Sequence, residues 1–191
     1  MEENRIRYYE LCEEAEEYAN TFFKELCNTC GNPAIVKDDI LPLVFKDIRE
    51  LEVRGRVANY NKQICILFGI DTTRTKIVSD MKRTLRHEII HYFLWLLDMS
   101  YEDDSLEFWC LSYMFDAGAY KKMSKKDKQI YNVFKKDYDN IEMKYRDKIH
   151  KTFIGKFAFQ IICNVISGED YEVAKNKPIK HSIHSFFHKI F

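Results

Sequence analysis

Proline and glycine are scarce, at three and six in 191 residues. So little of either excludes a collagen-like, linker-rich or low-complexity chain. Net charge is lacking too, because 30 Lys and Arg stand against 30 Asp and Glu. That balance excludes a protein built chiefly to coat nucleic acid by neutralising phosphates. No stretch approaches the ~18 consecutive apolar residues of a membrane-spanning helix. The best candidate, Ile89 to Leu97, is short and broken by His91. The opening Met1-Glu2-Glu3-Asn4-Arg5 leads into an acidic amphipathic run, without the basic and apolar segments of a secretory leader. The expectation is a cytoplasmic protein with no membrane association. Its six scattered cysteines then read as reduced thiols filling small apolar positions.

What is present is enough apolar material, 46% of the residues, for one compact domain with a core. Charge is unevenly spread along it. Residues 1–120 hold 14 basic and 22 acidic side chains, and residues 121–191 hold 16 and 8. The expected division is a core over 1–123 and a basic, largely helical extension over 124–191 packed on it. The basic part is the better contact for an anionic partner such as DNA.

Apolar residues spaced three and four apart from Arg7 to about Cys27 predict an amphipathic helix. The period then shortens. Leu41 to Ile48, Gly55 to Tyr60 and Gln63 to Phe68, the last ending at Gly69, read as strands, with a turn at 59–62. Together they suggest a small antiparallel three-stranded sheet. Helical spacing returns from Ser79 or Asp80 to about Leu97, from about Asp104 to Tyr120, and from a capping box at Ser124 and Asp127 to about Tyr145. The fold class is therefore α+β.

The third predicted helix from the end carries His87-Glu88-Ile89-Ile90-His91, an H-E-x-x-H motif. Residues four apart on a helix differ by about 40° in direction, so both imidazoles leave one face and can bind one ion. Glu88 points about 100° away from His87, close enough to take a proton from a metal-activated water without becoming a ligand. Zinc suits this pair, since it accepts imidazole nitrogen and lowers the pKa of bound water toward ~7. A catalytic zinc site usually has a third protein ligand. No histidine follows His91 until His150, which leaves Asp103, Asp104 and Glu107 as the obvious suppliers. Asp104-Ser105-Leu106-Glu107 also has the shape of a helix N-cap with a carboxylate at the third position. On that reading Asp104 caps its own helix and the longer Glu107 reaches the metal, so Glu107 is favoured over Asp104. Elsewhere, Cys27-x-x-Cys30 reads as a helix end. His181, His184 and His188 read as part of a docking helix, and Lys121 to Lys128 as a solvated face.

Gly55-Arg56-Val57-Ala58-Asn59-Tyr60, Ile64-Cys65-Ile66-Leu67 and Thr84-Leu85-Arg86-His87-Glu88-Ile89-Ile90-His91 together resemble the SprT-like metallopeptidases of the minimal zincin type. In that family a third zinc histidine stands four residues before an aromatic; with Phe108 as the aromatic, Asp104 occupies the histidine's place. Glu107-Phe108-Trp109-Cys110-Leu111-Ser112-Tyr113 is similar to the ImmA/IrrE type of bacterial and phage metallopeptidase, in which a glutamate on the next helix completes the site. That likeness would suit a gene carried by a phage or mobile element. Either resemblance covers about residues 35–120. It implies a zinc-dependent metallopeptidase acting on a protein or peptide, with His87 and His91 as ligands and Glu88 as general base. In zincins an extended substrate pairs with the strand edging the cleft, which Lys62 to Gly69 would supply. The rival expectation is a catalytically silent zincin scaffold that touches protein or DNA through its basic C-terminal third.

Overall fold

The computed structural model describes residues 2–29, 41–60, 63–96, 99–119 and 121–145. The expectations for Cys30 and for residues 146–191, including His150, His181, His184 and His188, lie outside these residues. Helix α1 (Glu2–Thr29) buries Leu11, Ala15, Ala19, Phe22, Phe23, Leu26 and Cys27 along one stripe and turns Glu13, Glu16 and Glu17 to solvent. That is the three-and-four spacing at work.

Three strands follow: β1 (Leu43–Asp47), β2 (Gly55–Tyr60) and β3 (Gln63–Ile70). Their order is β1-β3-β2, with β2 antiparallel to β3 and β1 parallel to it. The sheet is thus mixed, which corrects the antiparallel meander expected from the sequence. The tight antiparallel pairing expected of β2 and β3 is present, with Tyr60 opposite Gln63. The error lay in the connection before β2. Residues 48–54, opening with a short 3-10 turn at Ile48–Glu50, carry the chain across the end of β3 to the far edge. Gly69 permits that crossing. A Cβ there would stand 3.2 Å from both Ile48 and Leu51 and 3.3 Å from the Arg54 carbonyl oxygen. Gly69 therefore lies inside β3 instead of ending it. Central position explains why β3 is buried from Cys65 to Ile70 on both faces.

Helix α2 (Ser79–Leu96) packs against α1, β2, β3 and α3, and ten of its 18 residues are buried. Helix α3 (Leu106–Met114) is apolar nearly all round because it is wedged between α2 and α4 (Lys125–Tyr145). Its cap is Ser105, whose hydroxyl accepts from the Phe108 N–H at 3.3 Å. The helix is consequently shorter than the sequence suggested, and Asp104 is not its cap. Ser124 does cap α4: its hydroxyl accepts from the Asp127 N–H at 3.1 Å, and the Asp127 carboxylate accepts from that hydroxyl at 2.6 Å. Trp109 and Tyr113 of α3 meet Tyr131 of α4 edge to face. Among the described residues no helix is long and apolar enough to cross a membrane.

Candidate metal centre

His87, Glu88 and His91 lie on the part of α2 covered by β2 and α3, and all three are buried. The imidazole Nε2 atoms of His87 and His91 stand 3.1 Å apart. Their other nitrogens face backbone carbonyls: His87 Nδ1–H donates to Gly118 O at 2.6 Å, and His91 Nδ1–H donates to Tyr101 O. A carbonyl can only accept, so each ring carries a proton on Nδ1, and in its neutral form offers a lone pair at Nε2. Two such lone pairs at this distance repel unless a proton or a metal ion lies between them. Phe108, fully buried, stacks on His91 with ring centroids 4.0 Å apart and meets His87 edge-on at 4.8 Å, fixing both rings from below.

The carboxylate that joins them is Asp103. Its Oδ1 lies 3.2 Å from His87 Nε2 and 3.3 Å from His91 Nε2. Its other oxygen accepts from Lys121 Nζ at 3.1 Å, and its backbone carbonyl accepts from the Trp109 indole at 2.9 Å. Among the described residues His87, His91 and Asp103 are the one group of three such side chains able to hold a metal ion, with donor atoms all within 4.8 Å of one another. Ligands bound tetrahedrally at ~2.0 Å stand about 3.3 Å apart, so this donor set fits a small tetrahedral ion. Each candidate ligand also has an outer hydrogen-bond partner, as metal ligands generally do.

Neither of the carboxylates favoured from sequence belongs to the group. Glu107 is on the first turn of α3, partly buried, and burial followed by repulsion from Asp127 of α4 raises its pKa. Asp104 is exposed. Asp103 is one of the three carboxylates the sequence offers, and a helix beginning at Asp104 would favour the other two. With Ser105 as cap, Asp103 sits in the preceding turn, where the backbone is free to aim it back at α2.

Glu88 stands next to the group without joining it. Burial, and then the nearby Asp103 charge, push its pKa up to about 8, while a hydrogen bond from the Val57 N–H works against them. Burial first and then His87 push His91 down to about 4, so it is neutral near pH 7. Burial opposes ionisation of Asp103, but the hydrogen bond from Lys121 above all works against it, and the carboxyl is held below its ordinary range.

The strand β2 makes room for Glu88 in a way the sequence did not reveal. A Cβ on Gly55 would come within 2.8 Å of Glu88 Cγ and 3.1 Å of its Oε1. Gly55 opposes Phe68 in the ladder, and the neighbouring Gly69 N–H donates to Arg54 O at 2.7 Å. Hydrogen-bonded pairs alternate in an antiparallel ladder, so the N–H and C=O of Gly55, Val57 and Asn59 turn away from β3. Glu88 thus rests against the outward edge of β2. No protein-family model matches the chain, and no characterised protein or solved structure resembles it closely enough to count as a match.

Proposed function

We propose that the chain is a zinc-dependent metallopeptidase with a zincin-like core, in which His87, His91 and Asp103 hold the ion and Glu88 is the general base. The observation that carries this is the convergence of two imidazole Nε2 atoms and one carboxylate oxygen at 3.1 to 3.3 Å beside a buried carboxyl that is not part of the group. Two imidazoles among three donors favour zinc over the oxygen-seeking magnesium and calcium. When bound, zinc supplies Lewis acidity and brings the pKa of water at its open position toward ~7. A dication at the group also offsets the burial of Glu88 and favours its carboxylate. Glu88 then takes a proton from the attacking water and hands it to the departing amine nitrogen.

The free strand edges bear on where an extended peptide would lie. Strand β3 has both edges taken by β1 and β2, so the pairing expected at Lys62 to Gly69 has no edge to use. The Val57 N–H is taken by Glu88, but the outward Val57 carbonyl and the outward groups of Gly55 and Asn59 on β2 suit backbone pairing with a substrate. A carboxylate as third ligand separates the site from the SprT-like pattern. Its place in the turn before α3 separates it from the ImmA/IrrE pattern.

The test joins metal content to turnover. Protein purified without a metal column is expected to hold close to one zinc, lost on His87→Ala, and to cleave unfolded protein substrates. Glu88→Gln should keep the zinc and lose cleavage. Zinc well below half an equivalent, unchanged by His87→Ala, would sink the proposal, as would an unaltered activity in Glu88→Gln.

A further inference from the structure

Arg86 immediately precedes His87 on α2, and its side chain is largely buried, at 18% exposed. Its guanidinium makes a fork on one backbone carbonyl: Nε and Nη2 donate to Asp116 O at 3.1 and 2.6 Å. Nη2 also donates to Asp116 Oδ2 at 3.0 Å, and Nη1 donates to the Tyr18 hydroxyl of α1 at 2.8 Å. Asp116 has φ 48°, in the left-handed region that a residue with a Cβ adopts at a cost. That reversal ends α3, where the Ala117 N–H donates to Ser112 O at 2.8 Å, and sends the chain back toward α2. Two residues after Asp116, the Gly118 carbonyl accepts from His87 Nδ1.

We infer that Arg86 is a positioning residue of the metal centre: by clamping Asp116 it fixes the Gly118 carbonyl, and through that carbonyl the orientation and tautomer of His87. The Asp116 carboxylate contributes little to this, because it is 83% exposed. The backbone carbonyl is the grip, and a planar fork holds it in a way that a single ammonium does not. The inference rests on the reading that His87 is a metal ligand.

The experiment measures zinc affinity of the full chain by competition with a chromophoric chelator, together with the His87 tautomer by nitrogen NMR of the metal-free protein. Arg86→Met is expected to weaken zinc by about 10- to 100-fold and to mix the His87 tautomers. Arg86→Lys should fall between, Tyr18→Phe should bind as the unaltered protein does, and Asp116→Gly should too, since glycine accepts this φ and keeps the carbonyl. A folded Arg86→Met with unchanged affinity and an unmixed tautomer overturns the inference. Should that variant fail to fold, Arg86→Lys with both readouts unchanged overturns it equally. An unaltered protein that takes up no zinc would instead sink the metal reading on which the inference stands.

Discussion

At the scale of residues, the site turns on which carboxylate is free to move. Asp103 lies in a turn and reaches both imidazoles, whereas Glu107 is committed to α3 and Asp104 to solvent. Asp103→Ala should therefore lower zinc affinity by orders of magnitude, with Glu107→Ala and Asp104→Ala changing it little; chelator competition ranks the three. The H-E-x-x-H residues were legible because helix geometry alone puts positions four apart on one face. Asp103 was legible only as one of three candidate carboxylates, because choosing it depends on a one-residue difference in where α3 starts, and cap positions are the least determinate feature of a helical pattern. Glu88 gives a second prediction. Its pKa in the folded protein lies above its ordinary 4.5, at about 8, so burial favours the protonated form. The associated stability is present below the ordinary value and is lost as pH rises through the folded one. Thermal unfolding in chelator should show the metal-free protein losing stability from about pH 5 to pH 8 on this account, and Glu88→Gln should remove that part of the dependence.

At the scale of elements, two N-caps of the same chemistry have different consequences. Ser105 caps α3 and also donates to Ser100 O at 3.0 Å, closing the turn that carries Tyr101 and Asp103. Ser124 caps α4, whose packing partner is α3. Replacing either by Ala should cost about 1 kcal/mol in denaturant unfolding. Ser105→Ala should in addition weaken zinc, while Ser124→Ala should leave it unchanged. The helices were readable from period and caps, to within a residue or two at α2 and α4. The sheet was not fully readable: strand positions follow from local composition, but whether β1 runs parallel or antiparallel depends on where residues 48–54 go. That path is decided by packing over Gly69, a contact between segments that local pattern does not encode.

At the scale of the whole molecule, the scaffold is a layer of helices on a three-stranded sheet, and the site is assembled from parts far apart in the sequence. Helix α2 gives the two histidines and Glu88, β2 gives the groove that Glu88 occupies, and the turns on either side of α3 give Asp103 and the Tyr101 and Gly118 carbonyls. This order along the chain has a consequence for synthesis. A ribosome finishes the entire H-E-x-x-H motif at His91, before it has made the third donor or either carbonyl that sets the imidazole tautomers. A stalled or clipped product ending between His91 and Tyr101 would carry the H-E-x-x-H motif without the carboxylate and the carbonyls that surround its histidines. The donor group and the hydrogen bonds that orient it are complete only once α3 and the turn beyond it have closed over α2.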